Sequence, residues 1–170
     1  MSSDVSPASD DPPEQCTILF RPLPTASRLS PPEKSAVKAF AGRLVQRLAD
    51  GRAFTCLVTD DRELRTLNRA FLKHDYPTDV LSFPASDDQA SLGEIAISAD
   101  RAQAQAAYFG HARIDELRVL MLHGVLHLTG LDHTRDRGAM ARAERKWRHI
   151  LNLPPTLIGR ASQSSKGSKR

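Results

Sequence analysis

Apolar positions along this chain follow two periods, and the alternation between them sketches a fold. Short runs rich in β-branched and aromatic residues, "TILF" at 17–20 and "AFTCLVT" at 53–59, predict strands. Between them Val37, Phe40, Ala41, Leu44, Val45 and Leu48 recur at helical spacing. That helix opens on Ser30 and Glu33, spaced as a capping box, and Gly51 stands just past its end. A second helix, capped by Thr59 or Asp60, carries Leu64, Leu67, Asn68 and Phe71 and must stop before Pro77. "TDVLSFP" and "LGEIAIS" predict two more strands, joined by the polar and therefore exposed "ASDDQAS". Ser98 can cap a helix over "ADRAQAQAAYFG".

The next helix differs from the others. From about Asp115 it runs "ELRVLMLHGVLHLT", apolar on nearly all sides and so buried, until Gly130 supplies a left-handed stop. Thr134 can cap a last helix reaching about Leu151, with Trp147 and Ile150 packing inward and most arginines outward. The order of elements predicts one α+β domain, a small mixed sheet of about four strands packed with about five helices. Its expected bounds are 16–155, between a Ser-, Pro- and Asp-rich tail (1–15) and a basic tail (156–170), both too poor in apolar residues to order themselves.

Composition narrows the class. A length of 170 residues suits a single core. No apolar run approaches the roughly 18 residues needed to span a bilayer, and "MSSDVSPASDDPPEQ" lacks the basic start and apolar stretch of a secretory signal. The expectation is a cytoplasmic protein without a membrane partner. Cys16 and Cys56 are too few for a disulfide framework and read as buried thiols. The 24 Lys and Arg only modestly outnumber the 20 Asp and Glu, but the last third concentrates Arg135, Arg137, Arg142, Arg145, Lys146 and Arg148. Such a bias attracts polyanions, nucleic acid above all, although a solvated helix face explains it as well.

The chemistry lies in "HGVLHLTGLDH", where His123, His127 and His133 bring half of the six histidines into eleven residues. Residues four apart on a helix project from one face, one turn above the other, so His123 and His127 form a two-toothed chelate. Gly130 lets the chain reverse, and six residues beyond His127 suffice to return His133 to the same point. Three polar rings on a buried helix would each need a buried partner, and one cation serves all three. Neutral imidazoles suit Zn²⁺, and three protein ligands leave a fourth position open, the pattern of a catalytic site. The spacing matches the zinc-peptidase pattern H-E-x-x-H-x-x-G-x-x-H except at Gly124, where the catalytic acid would stand. Proteolysis by that route is therefore disfavoured. An ion held by neutral ligands alone keeps a local charge near +2 and favours an anionic substrate such as a phosphodiester.

Together with "LNRAF", "DYPTDVLSFP" and "LGEIAIS" upstream in the same order, this motif resembles the YbeY family of bacterial rRNA-maturation endoribonucleases over roughly residues 55 to 150. The resemblance implies a zincin-like buried metal-binding helix and a single-strand-specific, metal-dependent endoribonuclease, with one Zn²⁺ per chain on His123, His127 and His133. It further implies action on the 16S rRNA precursor, at its 3′ end and in ribosome quality control, with partners on the small ribosomal subunit and the Era GTPase. One departure stands out. Where the family commonly has an arginine after the aromatic of "LNxx(F/W/Y)", this chain has Leu72, so that Lys73 or Arg69 must supply the positive charge or the metal must do more. The alternatives to this reading are a zinc peptidase and a non-catalytic ribosome assembly factor with a structural metal.

Other residues carry two readings each. Asp132 either serves the site, orienting an imidazole or taking a proton from water, or caps the last helix. Asp79 and Ser82 fit the lining of a cleft, although Asp79 could simply begin a strand after the Pro77 turn. Glu94 is either a cleft carboxylate or, as favoured, the solvent face of an edge strand. His74, His111 and His149 lack convergent spacing and fit surface or packing roles.

Overall fold

The computed structural model describes residues 16–86, 90–132 and 134–155. The expected tails at 1–15 and 156–170, the middle of the "ASDDQAS" connection and His133 lie outside the described residues. The elements in chain order are β1 (Thr17–Phe20), α1 (Pro31–Arg47), β2 (Ala53–Thr59), α2 (Asp61–Leu67) continued by a π-helical turn (Asn68–Leu72), β3 (Val80–Pro84), β4 (Ser91–Ser98), α3 (Ala99–Phe109), α4 (Arg113–Leu128) and α5 (Ala139–Ile150). This is the expected α+β arrangement of four strands and five α-helices. The sheet order is β1-β2-β4-β3, with β1, β2 and β4 parallel and β3 antiparallel to β4 at the edge.

Local chemistry accounts for several elements. At α1 the Ser30 hydroxyl accepts from the Glu33 amide while the Glu33 carboxylate accepts from the Ser30 amide, the reciprocal capping box. Asp60, rather than Thr59, caps α2, and Ser98 caps α3. The stripe Val37, Phe40, Ala41, Leu44 and Val45 is buried in one core with Cys56, Val58, Ile95, Ile97 and most of α4. Cys56 is wholly buried and its thiol pushed well above the ordinary range, first by desolvation, whereas Cys16 is half-buried.

Several expectations need correction. The second helix does not continue as α-helix to Phe71; it loosens at Asn68 into the π-helical turn, and Phe71 is 65% exposed. Asn68 is buried there, donating from its amide to the Tyr76 carbonyl at 2.9 Å. Helix α4 begins at Arg113, because the Arg113 guanidinium anchors the first turn to the Glu33 carboxylate (2.8 Å) and to the carbonyls of Ala26 and Arg28. Helix α5 starts at Ala139, not Thr134. Its opening turn is held by Asp136, whose carboxylate accepts from the amides of Gly138 (2.9 Å) and Met140 (2.7 Å). Among its arginines Arg148 is buried, donating to the Pro154 carbonyl, while Ile150, expected inside, is exposed. Glu94 does face solvent, but from β4, an interior strand of the sheet and not an edge.

Candidate active site

Helix α4 lies on the sheet so that its C-terminal half passes over β3 and β4. At Gly124 a Cβ would meet Ile95 Cγ2 at 3.1 Å and Val80 Cγ2 at 3.2 Å, so the smallest residue permits the approach. The Ser82 hydroxyl donates to the Gly124 carbonyl at 3.1 Å, tying the helix to the edge strand. Position 124 therefore faces the sheet. The acid of the peptidase pattern has no room on this face, which supplies the physical reason for its absence.

His123 and His127 open beside that contact into a cleft of about 490 Å³ that Leu72, Thr78, Asp79, Ser82, Leu131 and Asp132 also line. Their Nε2 atoms are 3.0 Å apart. On the far side of each ring, His127 Nδ1 lies 2.8 Å from the Leu131 carbonyl, and His123 Nδ1 meets the Glu144 carboxylate. A carbonyl oxygen can only accept, as can a carboxylate, so each Nδ1 carries the proton and donates. Each Nε2 of a neutral ring is then a lone pair, and two lone pairs confront one another at 3.0 Å. Only positive charge between them, a proton or a metal cation, relieves that repulsion. With metal–nitrogen distances of about 2.0–2.1 Å, both nitrogens reach a common ion, so the imidazole donors fit a borderline divalent cation such as Zn²⁺. The C-terminal end of α4, with its partial negative charge, is a favourable neighbour. His133 is outside the described residues, and its place relative to this pair is not described.

Glu144 was not anticipated from the chain. It sits on α5, its side chain only 11% exposed, and fixes His123 from behind. A signal existed: Glu144 falls at helical spacing with Met140, Arg148 and Leu151, all buried, on a helix otherwise basic and exposed. The Leu131 carbonyl could not have been foreseen, since any residue presents one. Asp132 reaches the cleft wall, yet its carboxylate accepts from the Thr134 amide and hydroxyl at 3.0 Å each. The Thr134 amide first, then its hydroxyl, hold Asp132 below the ordinary carboxylate value. It does not cap α5, a task taken by Asp136.

Leu72 itself lines the cleft where the family arginine would stand. Lys73 and Arg69 flank it on the exposed π-helical turn; Lys73 turns back toward the Ala70 carbonyl (3.4 Å) and Arg69 lies 3.9 Å from the Asp75 carboxylate. Asp79 lines the cleft and stands just before β3, its carboxylate accepting from the Val80 amide and from Gln105. His74 and His149 are exposed, and His111 pairs with Glu116 away from the cleft lining.

Comparison with known proteins agrees with this picture. The family profile described as Endoribonuclease YbeY matches residues 32–152. A protein named Endoribonuclease YbeY from Solibacter usitatus is 51% identical over 148 residues, covering 87% of this chain and 96% of that protein. One of the same name from Koribacter versatilis is 52% identical over 110 residues, covering 65% and 72% respectively. A solution structure of a Thermotoga maritima protein matches with a TM-score of 0.50 at 23% identity, over 91% of this chain and all of the other, a likeness of fold.

Proposed function

The chain belongs to the endoribonuclease YbeY family, and from that premise we propose that its cleft hydrolyses phosphodiesters of single-stranded RNA with one Zn²⁺ held by His123, His127 and His133. The observation that carries the reading is the facing pair of Nε2 atoms, each set by a partner on the opposite nitrogen and opening into a cleft of about 490 Å³. When bound, such a cation supplies Lewis acidity and positive charge to the cleft.

The chain's own residues do the rest. Glu144 and the Leu131 carbonyl keep both rings in the tautomer whose Nε2 can coordinate. Asp132, a carboxylate at neutral pH on the cleft wall, is placed to take a proton from an attacking water. Lys73 and Arg69 lie outside the cleft lining, next to Leu72 on the adjoining turn, and are the candidates to meet phosphate charge as it develops. Leu72, Leu131 and Pro84 add apolar surface to walls that Thr78, Asp79, Ser82 and Asp132 otherwise make polar. The substrate proposed is the 16S rRNA precursor at its 3′ end, in maturation and quality control, with the small ribosomal subunit and the Era GTPase as partners and the cytoplasm as location. Among the described residues no helix is long and apolar enough to cross a membrane.

Metal analysis of the purified protein, paired with cleavage of a short rRNA 3′-end substrate with and without chelator, tests this. One equivalent of metal and chelator-sensitive cutting is expected. Intact RNA in both lanes from metal-loaded protein would instead leave an assembly factor with a structural metal, and zinc-dependent cutting of casein would indicate a peptidase.

A further inference from the structure

Opposite the face that carries α4, the sheet is only partly covered by α2, and a second groove of about 440 Å³ lies open there. Its walls include Leu57, Leu67, Phe71, Phe83 and Ala96, and among the described residues that line it Glu94 alone is charged. Glu94 and Phe83 are direct cross-strand partners, so their side chains emerge side by side. Phe71 meets Phe83 edge to face with ring centroids 5.3 Å apart, which leaves a large aromatic surface toward solvent.

This groove and the histidine cleft lie on opposite faces of the sheet and border the same edge strand, β3, and the same π-helical turn. Leu72 lines the cleft and Phe71, the preceding residue, lines the groove; Ser82 and Pro84 line the cleft and Phe83, between them, lines the groove. A chain leaving the histidines and crossing edge strand β3 or the π-helical turn thus arrives on Phe71. The exposed face of Phe71, braced by the edge contact with Phe83 and with a carboxylate nearby, suits a planar heterocycle that presents N–H donors on one edge. An ionised carboxylate only accepts, and through two oxygens. Of the four RNA bases, guanine alone offers two adjacent donors, N1–H and the 2-amino group; adenine and cytosine pair one donor with a ring acceptor, and uracil has one donor between two carbonyls.

We propose that this groove is a guanine subsite of the RNA path, with the base stacked on Phe71 against Phe83 and its N1–H and 2-amino groups donating to the Glu94 carboxylate. The proposal rests on the RNA reading above and adds a base preference to it at a nucleotide flanking the one cut. Arg69 and Lys73, exposed on the turn that separates the two depressions, stand where the intervening phosphates would pass.

Two measurements on the full chain decide it. In the first, guanosine, inosine, adenosine, cytidine and uridine 5′-monophosphates are titrated into the ¹⁵N-labelled protein. Amide shifts at residues 71, 83 and 94 are expected with guanosine monophosphate. Inosine monophosphate, lacking the 2-amino group, should bind about tenfold or more weakly, and Glu94→Gln should erase the difference. In the second, oligouridine carrying one guanine at successive positions is cut, and the cleavage point should move with the guanine. Cleavage indifferent to the guanine, with the groove silent to every nucleotide, overturns the subsite and leaves the nuclease reading intact. Absence of cleavage on any RNA counts against the nuclease reading instead, and the nucleotide titration still decides the groove. A dimer in sedimentation that Phe71→Asp dissociates would also overturn the subsite, assigning the groove to a second copy of the chain.

Discussion

Each end of helix α4 contributes one member of a histidine–glutamate pair, Glu116 to His111 and His123 to Glu144, and the two pairs are put to different use. Near the N-terminal end His111 Nε2 lies 2.5 Å from Glu116 Oε2; the carboxylate is fully buried and the ring stacks parallel to Phe109. Near the C-terminal end His123 Nδ1 meets Glu144, and its other nitrogen faces His127 across a cleft. A buried carboxylate beside an imidazole is therefore no mark of function by itself. The distinction lies in where the second nitrogen points. At His111 the pair fastens the start of α4 beneath the end of α3, while at His123 it presets a donor.

The sharpest way to break this contrast is His127→Ala. Metal content and RNA cleavage should both collapse, a larger loss than the about 100-fold expected from changing a residue behind a ligand, with circular dichroism retained. Glu144→Gln comes next. It should leave the fold in place and weaken metal affinity by about 10–100-fold, measured by competition with a chromophoric chelator. Glu116→Gln at the other pair should invert the pattern, lowering unfolding stability by about 1–3 kcal/mol in urea while metal affinity stays at the parent value. If both glutamine variants lose metal equally, the two pairs are not distinct.

The smallest effect concerns the anchor of α4 on α1. Burial pushes the Glu33 carboxyl up, but the Ser30 amide and then the Arg113 guanidinium outweigh it and hold it below its ordinary value. A carboxyl lowered in the folded state adds stability above the unfolded value of about 4.3, and that contribution fades as pH falls through the folded value. Glu33→Gln should thus cost about 1–2 kcal/mol at pH 7, and the gap between parent and variant should close below about pH 4.

What could be read from the chain was what acts locally. The capping box at Ser30 and Glu33, the cap at Ser98 and the one-sided stripe of α1 depend on neighbours within a turn, and each is where the pattern puts it. The i, i+4 convergence of His123 and His127 is likewise local helix geometry. Features set by distant partners were not legible. The start of α4 at Arg113 depends on Glu33, 80 residues earlier, and the late start of α5 on the Asp136 turn. The edge-strand reading of Glu94 failed because strand order is a matter of topology, which alternation of apolar residues does not encode.

The close seat of Gly124 against Ile95 and Val80 has a mechanical consequence. With no side chain as a spacer and a hydroxyl from Ser82 gripping its carbonyl, the histidine-bearing segment cannot slide or roll without colliding with two strands. Whatever must give way to admit a bulky polymer therefore belongs to the rim, the loosened turn at 68–72 first, while the His123 and His127 rings ride on an immobile jig.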